Sequence, residues 1–384
     1  MPGYAYQFEL GTPAAVSTVS FSQSGELAAG SDDGSVRIYQ LPSTRVAKAI
    51  RGLSQDVASV CWVQPKSADR ANLWVASGAT RQTQAYLFDL ADPKLVLQPG
   101  DATRHIKLGE DDEDVINELS INDSTKILAF STDGGTVGTV ELSSQSITRM
   151  RTTHTNIASS VKFIPDRSSE ILSGGFDSAL IHFDYKQNIV LSRFDIASAP
   201  PTSGISLSPP FILSVSISPS GLVAAATADG RLWLGSGGDK NVPSQDKKKR
   251  SRKWQGLKEQ DGTFVQVADG PVVSSYVPAL ALRTLRPLTC RTPRAFTSDG
   301  ASLLTSTLLG KLAQHDLSYD DKQALQINTS WTAEVRSLAK VNGIALSGTH
   351  LVVGGILKDG RGSLEVWSLP DGGVLIEQMS QLSL

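Results

Sequence analysis

The stretch VSTVSFSQSGELAAGSDDGSVRIY, residues 16–39, decides the fold. Val16 to Phe21 alternates apolar and polar residues, the period-2 pattern of a strand with one buried face. Ser24-Gly25 is a turn pair, and a second strand follows it. Asp33-Gly34 is a tight-turn pair, and Ser35 to Tyr39 alternates again. Related text returns as VSISPSGLVAAATADGRLWL at 215–234. Three short strands per unit, repeating every 40–50 residues or so, predict the blades of a β-propeller.

The other tight turns extend the count. From 33 they step to about 80, 133, 177 and 229, intervals of about 47, 53, 44 and 52, near one blade each. The interval from 229 to Gly310 is about 80, one blade plus an insertion, and the last, to Gly360, is 50. The expectation is an all-β, seven-bladed propeller with a long basic loop inserted after blade 5. Blades are expected near 11–50, 52–98, 110–150, 153–195, 209–268, 272–330 and 332–379, with a flexible basic insertion at 236–262. An open ring would leave strand edges exposed at both ends. Tyr4 to Leu10 alternates enough to close it, and Val374 to Met379 is the competing segment; the N-terminal strand is the favoured one.

Composition narrows the functional classes. Net charge is −2 over 384 residues, so no global field draws the chain to nucleic acid or membrane. No apolar run approaches the roughly 18–20 residues of a membrane helix, and MPGYAYQFEL lacks the basic-then-apolar order of a signal peptide. Cys61 and Cys290 form no CxxC and sit in different expected blades, which fits a reducing compartment, cytoplasm or nucleus. No His/Cys cluster has metal-ligand spacing, and no GxSxG elbow is present. Gly310-Lys311 approaches a phosphate-binding loop, but Thr305 stands where the first Gly is needed and Leu312 where Ser or Thr is needed. The reading is a protein without enzymatic activity or cofactor, monomeric within a larger complex.

The blade pattern resembles the WD40 repeat. That family often links four buried side chains: His before the first strand, Ser or Thr in the second, Asp in the tight turn and Trp in the third. Blade 4 keeps His154, Ser173 and Asp177, with Phe183 in the Trp place. Phe has no hydrogen-bond donor, so the chain stops one member short. Asp33 and Asp229 are the matching turn residues of blades 1 and 5, Thr12 holds the His place of blade 1, and Trp367 is taken as the aromatic of blade 7. Blades this worn are expected to rest mainly on apolar packing.

Two charged stretches depart from the repeat. GEDDED at 109–114 precedes blade 3 and supplies five acids, Glu110, Asp111, Asp112, Glu113 and Asp114. On a propeller rim they could dock a basic peptide, the alternative being a plain solvated loop. DKKKRSRKW at 246–254 concentrates Lys247, Lys248, Lys249, Arg250, Arg252 and Lys253. An exposed run of this kind fits a nuclear import signal, contact with nucleic-acid phosphates, or a solvated loop.

EDVINELSIN (113–122), THTNIASSVKFIP (153–165) and SEILSGGFDSALIHFD (169–184) go further, and resemble the WD repeat-containing protein 53 family. The resemblance implies an adaptor or scaffold with other proteins or peptides as partners, considered as a substrate receptor of cullin-4 ubiquitin ligases. Such receptors often carry a Trp-Asp-x-Arg/Lys box. The nearest match here is Phe183, Asp184 and Lys186, with Phe for Trp and Lys for Arg. The competing function is a nuclear factor of RNA or ribosome assembly that uses the basic loop.

Overall fold

The computed structural model describes residues 3–53, 56–63, 72–77, 84–109, 114–196, 209–218, 221–236, 257, 262–267, 272–277, 301–319, 325–347 and 350–369. Its strands form seven separate sheets, the blades of one propeller, each with four antiparallel strands. The inner strands are Val16–Phe21, Val57–Val63, Ile116–Ile121, Ala158–Phe163, Ile212–Ile217, Val272–Val277 and Leu338–Ser347, for blades 1 to 7 in turn. Each touches the inner strand of the next blade, and the seventh returns to the first, so they line a central channel.

The N-terminal strand closes the ring. Ala5–Thr12 lies antiparallel to Gly362–Ser368 as the outermost strand of blade 7, with Leu10 opposite Leu364 and Tyr6 opposite Trp367. Blade 7 is therefore built from both ends of the described chain. The competing segment, 374–379, lies outside the described residues. Blade 1 gains a fifth strand instead: Val96–Leu97, from the connection inside blade 2, pairs parallel with Val46–Ile50.

Within the long interval between residues 229 and 310, two strands lie between the third strand of blade 5, Arg231–Ser236, and the second strand of blade 6, Ala301–Thr307. Gly262–Gln266 is the outer strand of blade 5, and Val272–Val277 is the inner strand of blade 6. Residues 237–261 thus separate the third and outer strands of blade 5, and residues 278–300 separate the first two strands of blade 6. The extra length is split between two blades.

The apolar core is divided among the junctions. Each of seven buried clusters joins one blade to the next, and the last joins Leu10, Val352, Leu364 and Val366 of blade 7 to Val16, Leu27 and Tyr39 of blade 1. Each apolar side chain buried at these seams stabilises the ring by about 25 cal/mol per Å² of surface removed from water. Blades share cores, so no blade is a unit on its own.

A second device ties the seams near the channel. The inner strands of blades 1 to 5 and 7 each carry a register shift, at 16/18, 57/59, 116/118, 158/160, 212/214 and 341/343. The extra residue at such a bulge is released from the ladder and re-aimed. In four blades it is polar and reaches a carbonyl of the following blade: Ser17 donates to Val57 (2.6 Å), Asn117 to Ala158 (3.1 Å), Ser159 to Ile212 (2.6 Å) and Asn342 to Val16 (2.8 Å). The acceptor in each case is the residue just before the next bulge. A companion row runs the other way: the N–H groups of Leu119, Val161 and Val215 donate to Ser59 Oγ, Glu118 Oε2 and Ser160 Oγ.

Candidate interaction surface

In blade 4 the polar chain is assembled. His154 Nδ1 lies 2.8 Å from Asp177 Oδ1, and His154 Nε2 lies 2.7 Å from Ser173 Oγ. Asp177 also accepts from the N–H of Thr155 and Ala179 and from Arg193 Nη2. Burial pushes its carboxyl pKa up, but the hydrogen bond and charge of His154 and the two N–H groups outweigh burial and bring it down to about 2. Phe183 is buried beside them and donates nothing. Ser, His and Asp stand here in the order of a hydrolytic triad. Ser173 is fully buried, however, and His154 is 3% exposed, so a substrate has no path to the hydroxyl. The arrangement ties the tight turn to the strands beneath it.

The matching turn aspartates of blades 1 and 5 pair with arginines. Asp33 takes Ser35 Oγ and Ser35 N–H and lies 3.4 Å from Arg37. Asp229 pairs with Arg231 at 2.6 Å, and that guanidinium lies 4.9 Å from the Phe264 ring centroid. Two further histidines are buried and bonded: His182 Nε2 to Glu170 at 2.9 Å, and His315 between Thr305 and Thr329.

Among the five acids before blade 3, Asp114 alone lies within the described residues, and it is turned inward. It is 7% exposed, and its Oδ1 accepts the N–H of Gly134 at 3.0 Å. Glu110, Asp111, Asp112 and Glu113 lie outside the described residues, as do Lys247, Lys248, Lys249, Arg250, Arg252 and Lys253.

The members of the Phe183, Asp184, Lys186 box stand in different environments. Asp184 Oδ1 accepts the N–H groups of Lys186 and Gln187, both at 3.0 Å, and Oδ2 accepts Gln187 Nε2. Its carboxylate therefore caps the turn that follows the third strand. Phe183 is buried, and Lys186 is exposed.

Residues 6–40 match the family described as "WD domain, G-beta repeat". The chain is a seven-bladed β-propeller whose closing strand and first blade carry a WD40-repeat match. It is similar to the WD repeat-containing protein 53 homolog of Dictyostelium discoideum, 27% identical over 229 residues, which cover 54% of this chain and 58% of that protein. The match thus spans little more than half of the curated relative's length. WD40 propellers generally bind other proteins.

The WD40 frame exposes one residue that pattern reading missed. Six places after the turn aspartate, where blades 1 and 4 hold Tyr39 and Phe183, blade 7 holds Glu365; Trp367 comes two residues later. Glu365 is fully buried, and its Oε1 accepts Arg336 N–H, Ser337 N–H and Ser337 Oγ at 2.7, 2.7 and 3.0 Å. A carboxylate thus does by hydrogen bonding what an aromatic ring does by packing elsewhere. The count from Asp359 was the signal that could have found it. Among the described residues, no group of three or more His, Cys, Asp or Glu is placed to hold a metal ion, and no helix is long and apolar enough to cross a membrane.

Proposed function

We propose that this chain is a non-catalytic scaffold that brings proteins together on the rims of its propeller. The carrying observation is the use made of the reactive side chains. Ser173, His154 and Asp177 are spent on holding a turn, and Asp33 and Asp229 on local ion pairs. The surface that remains for function is that of the rim loops and turns, the part of a rigid scaffold that usually carries recognition. Proximity labelling or affinity purification of the full chain from cells is the test. Recovery of reproducible protein partners is expected, and recovery of none would sink the proposal.

The finer reading is a substrate receptor of a cullin-4 ubiquitin ligase, supported by the likeness to WD repeat-containing protein 53 and by the exposed Lys186. Lys186→Ala is the informative variant. It should abolish recovery of cullin-4 machinery while leaving the thermal midpoint unchanged. Asp184→Ala would also remove a turn cap and so confound docking with folding. Unchanged recovery with Lys186→Ala would rule out docking through this box.

A further inference from the structure

Two backbone places recur at the channel mouth. In blades 1, 3, 4 and 5 the N–H of a turn residue (Asp32, Asp133, Phe176, Ala228) donates to the carbonyl just before the inner strand (Ala15, Val115, Ile157, Phe211), at 3.0, 2.9, 2.8 and 2.8 Å. The inner strands line the channel, so these pairs sit around its opening. The bond is made by backbone alone. Ala15, Val115 and Ala228 satisfy it as well as any larger residue, so folding places no demand on the side chain.

The side chains at these places differ sharply around the ring. At the junction of blades 4 and 5, Phe176 of one turn stacks on Phe211, which leads into the next blade, with centroids 5.5 Å apart and planes 8° from parallel. Both rings are only partly buried, as is Ile157 beside them. At the junction of blades 1 and 2 the same two places hold Asp32 and Asp56, and the turn of blade 3 holds an exposed Asp133. Burial and the charges of Asp56 and Asp33 push the Asp32 pKa up, and Lys340 on blade 7 lowers it. Lys340 lies within the inner strand of blade 7, and Lys358, on the turn of that blade, is a cation at an equivalent place among the described residues. Three blades of seven separate the aspartate junction from the phenylalanine junction, so the two face each other across the opening.

We infer that the channel mouth docks a partner peptide bearing an Arg or Lys and, a few residues away, an apolar side chain. The cation sits toward Asp32 and Asp56, and the apolar group packs on the Phe176–Phe211 stack. This inference rests on the scaffold reading and adds the chemistry of the partner. Aromatic faces accept apolar groups at a partly dried rim, and the aspartates select the sign of the charge more than they add affinity.

The test uses fluorescein-labelled Gly/Ser peptides, each with one Arg and one Leu separated by about two to about six residues, since an extended chain rises roughly 3.3 Å per residue. Anisotropy against the full chain is expected to show binding at one preferred spacing, weakened about tenfold or more when Arg is replaced by Glu or Leu by Ser. The pair Phe176→Ala with Phe211→Ala should remove the benefit of Leu and keep that of Arg. Asp32→Asn with Asp56→Asn should do the reverse and flatten the salt dependence. Circular dichroism and thermal midpoints establish that both variants are folded. Equal binding by both variants, or no binding at any spacing, overturns the inference. In cells, wild type and variants that recover the same partners would refute mouth docking while leaving the scaffold reading intact. A wild type that recovers none would remove both.

Discussion

Asp177 shows how much one side chain can hold in the blade that keeps most of the repeat's polar chain. Its two oxygens meet His154, Thr155 N–H, Ala179 N–H and Arg193, so the turn, the preceding loop and the outer strand converge on one carboxylate. Its pKa falls from 3.8 to about 2 on folding, although burial alone would raise it. A carboxyl whose folded pKa is depressed contributes stability above its unfolded pKa and loses it as pH falls toward the folded value. Blade 4 should therefore weaken between about pH 4 and pH 2. Asp177→Asn should lower stability at pH 7 by about 1–2 kcal/mol, allowing for solvent screening at the turn, and should flatten the acid limb of a plot of thermal midpoint against pH. An acid limb as steep as in wild type would refute this account. The blade 4 trio was legible in the sequence because its spacing is a repeat signature. Glu365 stands six places after Asp359 and went unread, because a lone acid in a strand reads as solvent-facing until the register places it inside.

At the scale of the strand, Trp233 depends on what its neighbours lack. It is fully buried on the third strand of blade 5 and packs with Phe194 at 5.2 Å between centroids. A Cβ on Gly235 would come within 2.2 Å of the indole, and one on Gly262 within 2.4 Å. Gly262 opens the outer strand, so the ring is seated by two glycines far apart in sequence. Gly235→Ala should destabilise by about 1–3 kcal/mol through overpacking. Gly11→Ala, where nothing lies within 4 Å, is the matched control and should be near neutral by thermal denaturation. Comparable losses from both would mean that space around the indole is not the cause. Trp233 is visible in the sequence as a strand aromatic, but its need for Gly262 appears only once the outer strand has been paired.

The whole molecule stands or falls with ring closure. Ala5–Thr12 covers the open edge of Gly362–Ser368, and Tyr4 and Leu10 are buried by doing so. Removing residues 1–12 should expose that edge and the seam between blades 7 and 1, giving a lower thermal midpoint and concentration-dependent association on size-exclusion chromatography. A truncated chain that stays monomeric with an unchanged midpoint would refute closure by this strand. The basic run belongs to the same scale, since it acts on where the entire protein resides. If it is an import signal, deleting 247–253 should move a fluorescent fusion from nucleus to cytoplasm with the thermal midpoint unchanged. An unaltered distribution, with unaltered salt dependence of RNA binding, would leave the run as a solvated loop.

Sequence alone determined the repeat, because strand alternation and Asp-Gly turns are local and recur every 40–50 residues or so in a single chain. It also determined the all-β class and the trio in blade 4. The tertiary structure decided what depends on the meeting of distant residues. It chose the N-terminal strand to close the ring, divided the long interval between two blades, and turned Asp114 and Asp184 inward onto backbone N–H groups. It also aligned four bulge residues into a belt and stacked Phe176 of blade 4 on Phe211 at the entry to blade 5. The physical reason is the same throughout. A blade is specified by its own turn and strand chemistry, whereas seams, closure and rims are specified by pairs of residues that only the closed ring brings together.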